Sequence, residues 1–267
     1  MSISEARNRH TVGGEKMTTE EMVVDVSQDW VQACDVQRGF MQAPDSVCDS
    51  FDFGARCRQV RALGGDCYSF VRLRDSRFSL VIGDASGKGL AAALMIASVQ
   101  SSLRTAALFT GDDLAALLKA VNHQAYASSS KDRYATLFYG VFDGSTGILR
   151  YVNAGHTPPV VIRRDGSMDC LEIGGAPTGL FEDSEYQEGS IKLESGDLVI
   201  AFTDGLTEAT NQDGEEWGVP GLLKAAVCGS QYLQDAEDLV HLIFNSMDDF
   251  SKERQTDDAT LAVVRVI

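Results

Sequence analysis

The chain has 267 residues, 44% of them hydrophobic, and a formal net charge of −16 at pH 7. This length suits one large domain or two small ones, and the acidity argues against nucleic acid as a partner, because phosphate backbones bind basic surfaces. No apolar run approaches the roughly 20 residues of a membrane-spanning helix, and residues 1–15 lack the apolar core of a signal peptide. We therefore expect no membrane partner.

The cysteines indicate a cytoplasmic location. The six of them are scattered without a C-x-x-C pair, which argues against a zinc site or a disulfide framework and for a reducing compartment. None is followed six residues later by arginine, so the loop of thiol-dependent phosphatases is absent as well.

The N-terminal part precedes the main domain. Residues 1–17 are polar and aperiodic, so we expect disorder there. A capping-box sequence at 18–21 opens a helical apolar spacing, which predicts a helix over about 19–41, ended before Pro44. Two interpretations stay open: a packing helix of the domain, or a regulatory or dimerising helix within a segment 18–49 that could form a homodimer.

The remainder, residues 50–267, is predicted to be one domain. Strand runs are separated by pairs of helices without regular β-α-β alternation, which indicates an α+β fold with sheets covered by helices. The predicted strands cover residues 51–60, 68–73, 78–82, 134–141, 147–152, 159–163, 198–203 and 259–266, and the predicted helices cover 90–107, 112–128, 220–228 and 235–250. The second and third strands, joined by a short polar turn, predict a hairpin.

The stretch from Ser79 to Ile96 organises this domain. A buried apolar strand reaches Gly83 and Asp84, turns through Gly87 and Gly89, and continues as an Ala/Leu-rich helix. A carboxylate at such a strand end is held rigidly and faces an open sheet edge. It suits a metal ion or a reacting group, although a solvated turn aspartate fits the same pattern.

Four acidic positions repeat this pattern. Three of them lie where an apolar strand meets a turn, and the fourth directly precedes the last strand; they are Asp66, Asp84, Asp204 and the pair Asp257-Asp258. Carboxylates converging on one sheet edge would repel one another unless cations neutralised them, and Mg²⁺ and Mn²⁺ prefer such oxygen ligands. The repetition therefore favours a metal centre over four independent turn residues.

Five ordered motifs carry a family resemblance. They are Gly64-Gly65-Asp66, Gly83-Asp-Ala-Ser-Gly-Lys-Gly89, Asn153-Ala-Gly-His156, Thr203-Asp-Gly-Leu-Thr-Glu-Ala209 and Asp257-Asp-Ala-Thr-Leu261. Together they resemble the PPM-type metal-dependent serine/threonine phosphatases, in their bacterial RsbU/SpoIIE-like branch. The resemblance implies a β-sandwich of two antiparallel sheets flanked by helices, with a two-metal site at one sheet edge.

The resemblance also implies a ligand set and a reaction. Asp84 matches the carboxylate that bridges two Mn²⁺ or Mg²⁺ ions, the Ala85 carbonyl a backbone ligand, and Asp66 a ligand on one side. Asp204 and Asp257 match ligands on the other side, and Asp258 is the less favoured member of its pair. Asp66, Asp84 and Asp204 are the predicted catalytic residues. A metal-activated water would hydrolyse phosphoserine or phosphothreonine directly, with a STAS-type anti-anti-sigma factor as the implied protein substrate.

For other residues in or near these motifs, the sequence predicts no definite catalytic role. Lys88 stands where this branch often has histidine, so no essential role is assigned to it. Arg61 is either a solvated strand residue or a phosphate-holding one. His156 is either a structural residue at a strand end or a participant in proton transfer, and Glu208 is expected to support the Asp204 turn.

Two rival functions are considered. A nucleotide-binding module would use the Gly87-x-Gly89-x-x-Ala92 sequence, but Asp84 would place negative charge near the pyrophosphate and no β-α-β unit follows. A non-catalytic binding relative would keep the fold without turnover. Metal-dependent turnover of a phosphoester separates both from a phosphatase.

Overall fold

The computed structural model describes residues 11–12, 15–16, 19–41, 50–109, 112–129 and 132–267. The strands of these residues are β1 Thr11–Val12, β2 Glu15–Lys16, β3 Phe51–Arg58, β4 Asp66–Arg72, β5 Arg77–Ala85, β6 Ala135–Asp143, β7 Ile148–Ala154, β8 Val160–Ile162, β9 Met168–Cys170, β10 Gly174–Gly175, β11 Gly189–Lys192, β12 Leu198–Phe202 and β13 Ala259–Val266. The helices are α1 Thr19–Phe40, α2 Leu90–Phe109, α3 Leu114–Ser128, α4 Asp204–Thr207, α5 Gly218–Ser230 and α6 Ala236–Ser251.

Two large sheets form the centre of the fold. The first has the order β4-β5-β6-β7, antiparallel throughout, and β7 also pairs with β10 in parallel and with β11 antiparallel. The second sheet has the order β3-β13-β12-β8-β9. Since β5, α2, α3 and β6 follow one another and β5 and β6 pair antiparallel, the segment is not the parallel β-α-β unit of a dinucleotide site.

Alternation of side chains along the strands produces three apolar layers. On β5, Leu80 and Ile82 face the opposite sheet and join an aromatic-rich core between the two sheets. Val81, one position away, faces the helices α2 and α3. The second sheet packs its other face on α5 and α6. The prediction of an α+β sandwich flanked by helix pairs is thus confirmed, as is the β4–β5 hairpin.

Four short elements were not predicted. β9 is an exposed three-residue edge strand, and β10 is a pair of glycines. β11 has one buried residue of four, and α4 is a single turn. Each is too short to show an apolar period, because periodicity needs several repeats to be visible.

The N-terminal predictions are only partly covered. A helix is present at Thr19–Phe40, close to the predicted bounds. β1 and β2 pair antiparallel within the segment predicted to be disordered, and the rest of residues 1–17 lies outside the described residues. The roles of this segment and the boundary at residues 49 and 50 stay predictions.

Helix α2 is the one described helix that could cross a membrane by length and composition, with a mean hydropathy of 1.2 over Leu90–Ala107. The sequence alone did not indicate a run of this length. Its inner face contributes Ala92, Ile96 and Val99 to the core under the first sheet. Core helices of soluble proteins have the same composition, so this is weak evidence for a membrane span.

Candidate metal centre

The predicted carboxylates lie at one end of the sandwich. Asp66, at the start of β4, pairs in register with Asp84, near the end of β5. Both belong to the strand positions that alternate toward the opposite sheet, as Ile82 does. The opposite sheet contributes Asp204, which follows β12, and Asp257, which precedes β13. The two sheets therefore supply carboxylates to the same end of the fold.

Asp66 is buried and already bound by hydroxyl groups. Its Oδ2 atom accepts a hydrogen bond of 2.7 Å from Thr203 Oγ1 and one of 2.6 Å from Thr260 Oγ1. Burial raises the pKa of Asp66 well above its usual range and the charge of Asp84 adds to this, while the two hydroxyl donors act in the opposite direction. Asp66 thus fastens the first sheet to the second through the two hydroxyl groups.

Asp84 is the electrostatic focus of the centre. Burial raises the pKa of Asp84 to about 7, and the next contributions come from the charges of Asp204, Asp257 and Asp258. These carboxylates are therefore near enough to oppose its ionisation. Asp84 and Asp204 also line a shared cavity of about 190 Å³. The structure thus brings Asp84, Asp204 and Asp257 to one end of the sandwich, as the sequence predicts.

Two glycines permit close approaches that a side chain would prevent. A Cβ atom on Gly65 would lie 2.9 Å from the Ala85 carbonyl oxygen and 3.0 Å from Asp84 Oδ1. A Cβ atom on Gly205 would lie only 1.9 Å from the Asp258 carbonyl oxygen. The glycines of the Gly-Asp and Asp-Gly motifs are therefore steric requirements of this site.

The neighbouring Asp257 and Asp258 make different contacts. Asp258 Oδ1 accepts from the backbone N–H of Val60 at 2.8 Å, and its Oδ2 accepts from that of Gly65 at 3.0 Å. Asp257 Oδ2 instead accepts from Lys88 Nζ at 2.7 Å, in a partly exposed ion pair. Both carboxylate oxygens of Asp258 are thus occupied by backbone N–H groups. Asp257 Oδ2 pairs with the Lys88 ammonium group, which a metal ion could replace, and this supports Asp257 as the ligand of the pair.

Cationic side chains surround the Gly87-Lys88-Gly89 turn. Both glycines have positive φ angles, +93° and +74°, which other residues rarely adopt. The Cβ position of Gly89 lies 3.3 Å from Arg61 Nη1, and that of Gly87 lies 3.5 Å from Arg133 Nη1. Sequence reasoning missed Arg133, because it lies between α3 and β6 outside every motif; only its position just before a strand that pairs with β5 could have suggested it.

His156 is buried behind Asp84. Its Nδ1 lies 3.0 Å from Thr136 Oγ1, and its backbone N–H donates to Asn153 Oδ1 at 2.7 Å. Thr136 Oγ1 also lies 3.4 Å from the Asp84 carbonyl oxygen. Burial lowers the pKa of His156 to about 4, so the ring is neutral near pH 7. These contacts support the structural interpretation of His156.

Glu208 lies near the same carboxylates. Its backbone N–H donates to the Asp204 carbonyl oxygen at 2.8 Å, which closes the single turn of α4. Partial burial raises the pKa of Glu208, and the charge of Asp204 adds to the effect. The predicted support of the Asp204 turn is thus a backbone contact, and the Glu208 side chain adds negative charge to the centre.

The donor set fits a hard divalent cation in its chemistry. It offers carboxylate oxygens of Asp84, Asp204 and Asp257 and the carbonyl oxygen of Ala85, and Mg²⁺ and Mn²⁺ prefer oxygen ligands. Burial and the neighbouring carboxylates raise the pKa of Asp84 to about 7, and a cation bound there would favour its ionised form. Within the described residues, no three His, Cys, Asp or Glu side chains converge closely enough to enclose one ion. To bind an ion, Asp66 would have to share its carboxylate with the hydroxyl donors Thr203 and Thr260. Asp257 would have to exchange Lys88 for the ion.

The comparisons with known proteins agree with this arrangement. The family model for stage II sporulation protein E (SpoIIE) matches residues 74–267. The chain belongs to the SpoIIE family. Among its curated relatives, phosphoserine phosphatase RsbU of Bacillus subtilis is 27% identical over 236 residues, 87% of this chain and 68% of RsbU. Protein IcfG of Synechocystis is 27% identical over 71% of this chain and 34% of IcfG.

Solved structures of the SpoIIE family and its neighbours share the fold. The RsbU and RsbW domains of Rv1364c from Mycobacterium tuberculosis match with a TM-score of 0.67 and 26% identity, over 82% of this chain and 61% of that one. The SiaA-PP2C domain of Pseudomonas aeruginosa matches with a TM-score of 0.78 and 19% identity, over 92% and 99% of the two chains. The chain therefore has the PP2C phosphatase fold. It spans between about a third and two thirds of the length of the two curated relatives named above.

Proposed function

We propose that the chain is a metal-dependent protein serine/threonine phosphatase that hydrolyses phosphoserine or phosphothreonine with water. The observation that carries this proposal is the convergence of Asp84, Asp204 and Asp257 at one end of the sandwich. Burial and the charges of Asp204 and Asp257 raise the pKa of Asp84 there to about 7. SpoIIE-family membership and similarity to RsbU, a phosphoserine phosphatase, support the same reaction.

The proposed ligands are Asp66, Asp84, the Ala85 carbonyl, Asp204 and Asp257, for two divalent cations, Mn²⁺ or Mg²⁺. Such ions, when bound, lower the pKa of water toward neutrality and offset charge on phosphoryl oxygens. Solved neighbours include a PstP catalytic domain with two manganese ions and an RsbX with magnesium. The number and identity of the ions in this chain belong to the proposal.

The protein's own groups have distinct parts in this reaction. Asp84 and Asp204 present oxygens to the shared cavity. Arg61 and Arg133, on either side of the Gly87–Gly89 turn, are placed to hold a phosphate dianion beside the carboxylates, since guanidinium groups bind phosphate by paired hydrogen bonds. Neutral His156 and Thr136 fix the strand that carries Asp84.

The proposed substrate is a phosphorylated regulator of the STAS type, an anti-anti-sigma factor in a partner-switching stress response, in the cytoplasm. The support for it is similarity to RsbU and to RsbP of Bacillus subtilis, both phosphoserine phosphatases. We also propose that neither nucleic acid nor a membrane is a partner of this chain.

Helix α1 is proposed to regulate the centre. Gln37, buried on α1, donates from Nε2 to the Gly64 carbonyl oxygen at 2.8 Å and accepts from the Gly64 N–H at 3.3 Å. Gly64 directly precedes Gly65 and Asp66, so a movement of α1 would displace this part of the centre. Trp30 and Val31 on α1 are exposed, which leaves apolar surface for a homodimer contact.

The test of the activity is phosphate release from a phosphoserine protein and from para-nitrophenyl phosphate, in Mn²⁺, in Mg²⁺ and in EDTA. We expect release that requires metal and that falls at least 100-fold in Asp84→Asn and in Asp204→Asn. The exposed variant Asp183→Asn serves as control. No release with either metal from any substrate would favour the rival interpretation, a binding relative without turnover.

The regulatory role of α1 is tested separately. Gln37→Ala removes both bonds to Gly64 without removing the helix. We expect it to change the metal-dependent rate by more than threefold, whereas Gln28→Ala, exposed on the same helix, leaves the rate unchanged. Equal rates for both variants and for a chain lacking residues 1–45 would exclude regulation by α1.

A further inference from the structure

A second cavity lies at the opposite end of the first sheet from the carboxylates. It has a volume of about 400 Å³ and lies between the strands β4–β7 and the helices α2 and α3. Ser79, in its lining, is five residues before Asp84 on the same strand, which corresponds to about 17 Å along β5. The cavity is therefore separate from the candidate metal centre, and its size is in the range of small-molecule sites.

The floor of this cavity is apolar with two hydroxyl groups. Its apolar lining comes from the sheet and both helices and includes Val81, Leu103, Leu117 and Val141. Ser79 and Tyr139, both buried, share a side-chain hydrogen bond there. Such a floor suits a hydrocarbon body, because apolar surface leaves water there on binding.

The rim carries an unusual concentration of positive charge for a chain of net charge −16. Five arginines line the cavity: Arg72, Arg74, Arg77, Arg104 and Arg150. The one carboxylate in the same lining is Asp112. Positive side chains that line one rim favour an anion among them.

Two of these arginines are already engaged by acidic residues. Arg77 Nη1 donates to Asp112 Oδ1 at 2.6 Å. Arg150 forms a two-point ion pair with Glu188 and also donates to the Asp112 carbonyl oxygen. These contacts fix two guanidinium groups at the rim, as in a preformed site.

The remaining positive charge has few partners. Arg104 Nη2 donates to the Phe40 carbonyl oxygen at 3.1 Å, but its Nε is buried without a hydrogen-bond partner. Arg72 and Arg74 are exposed and, among the described residues, have no ion pair or side-chain hydrogen bond. Within the described part of the chain, the guanidinium groups of Arg72 and Arg74 are therefore available to an anionic head group.

We propose that this cavity binds a small amphipathic anion, with its apolar body on the floor between the sheet and α2/α3 and its carboxylate or phosphate head group at Arg72, Arg74 and Arg104. Arginine pairs with both head groups through two parallel hydrogen bonds. The site is independent of the proposed phosphatase reaction, because none of its residues belongs to the metal centre.

Isothermal titration calorimetry on the full chain tests this proposal. The probes are decanoate and decyl phosphate, kept below their micelle concentrations, with decanol and inorganic phosphate as controls that lack one half of the ligand. We expect at least one decyl anion to bind more than tenfold more tightly than either control. A preference for decanoate or for decyl phosphate identifies the head group.

Variants assign the binding to the cavity. Arg72→Gln with Arg74→Gln should weaken the decyl anion at least tenfold, and Ala107→Phe, which fills the cavity from α2, should do the same. Arg164→Gln, an exposed arginine in the turn between β8 and β9 of the other sheet, should change it less than twofold; circular dichroism verifies folding of each variant. Binding that is equal for decanol, absent for both anions at millimolar concentration, or unchanged by the cavity variants would overturn the proposal.

Discussion

Asp66 and Asp84 occupy directly opposite positions in the antiparallel ladder of β4 and β5, two carboxylates facing the same side of one sheet. Like charges in this position destabilise a sheet. Thr203 and Thr260 from the second sheet donate hydrogen bonds to Asp66, which offset only part of the rise in its pKa. At Asp84, burial and the charges of further carboxylates together disfavour the ionised form.

Replacement of Asp84 by asparagine should stabilise the metal-free protein at pH 8. The pKa of Asp84 is raised from 3.8 to about 7 in the folded chain, so the folded state is penalised as Asp84 ionises, and stability falls between about pH 4 and pH 7. We expect Asp84→Asn to unfold at a higher urea concentration, with a free energy of unfolding that is higher by about 4 kcal/mol at pH 8, and to differ little from wild type at pH 4. Equal stability of the two proteins at pH 8 would contradict a raised pKa of Asp84 in the folded chain.

Divalent cations should reduce this difference in stability between wild type and Asp84→Asn. Mn²⁺ at 100 times its dissociation constant would stabilise the folded wild-type chain by about 2.7 kcal/mol, provided that it does not bind the unfolded chain. Thermal unfolding with increasing Mn²⁺ measures the effect, and EDTA should abolish it. Asp84→Asn should show a much smaller shift, and Asp183→Asn the full one. A shift that persists in Asp84→Asn would place the ion elsewhere.

The adjacent Asp257 and Asp258 should have opposite mutational phenotypes. Asp258→Ala leaves the N–H groups of Val60 and Gly65 without their acceptor, so we expect a loss of about 2 to 3 kcal/mol of stability. Asp257→Ala removes a partly exposed pair with Lys88, worth about 0 to 1 kcal/mol, and a local hydrogen bond from the Asp258 N–H; it should cost less stability than Asp258→Ala but weaken Mn²⁺ binding strongly. Urea unfolding and metal titration of both variants decide whether Asp257 is the metal ligand and Asp258 the structural residue, or the reverse.

Gly205 should tolerate no side chain. A Cβ atom there would lie 1.9 Å from the Asp258 carbonyl oxygen, so Gly205→Ala must separate α4 from the start of β13, at a cost of about 3 kcal/mol or more. Gly39→Ala is the matched control, since nothing lies within 4 Å of its Cβ position and alanine favours a helix by up to about 1 kcal/mol. Similar stability for the two variants would refute the close approach.

His156 should make the protein sensitive to acid. Burial lowers the pKa of His156 from 6.5 to about 4, so the folded state binds fewer protons than the unfolded state between these values. The contribution is present above pH 6.5 and is lost as pH falls toward 4, with a total of about 3 kcal/mol.

Urea unfolding in EDTA at pH 7 and pH 5 measures this contribution of His156 to the free energy of unfolding. Wild type should lose about 2 kcal/mol more than His156→Asn over this interval. The comparison cancels the opposite contributions of the raised Asp66 and Asp84 carboxyls. An identical loss in both proteins would mean that His156 is accessible to protons in the folded state.

The sequence predicts the long elements and the convergence of the carboxylates because each follows from local patterns. An apolar strand such as β5 ends at a fixed point, and Asp84 lies at that point. The sequence does not show which carboxylate oxygens already accept hydrogen bonds from other parts of the protein. The bonds from Thr203 and Thr260 to Asp66 join residues 137 and 194 positions apart, and no local pattern reports such a distance.

The arginine-rimmed cavity escaped sequence reasoning for a related reason. Arg72, Arg74 and Arg77 look like solvated residues of a hairpin turn when read in order. Arg104 and Arg150 join them only because α2 packs across the sheet and β7 lies next to β6. Short strands such as β10 were invisible because two glycines show no periodicity.

The bonds of Asp66 to Thr203 and Thr260 also have a consequence for synthesis on the ribosome. The first sheet can pair β4, β5 and β6 early, but the hydroxyl groups that hold Asp66 come from residues translated much later. Until β13 has emerged, β3 also lacks its partner in the second sheet. The candidate metal centre of a nascent chain is therefore incomplete until both sheets have closed.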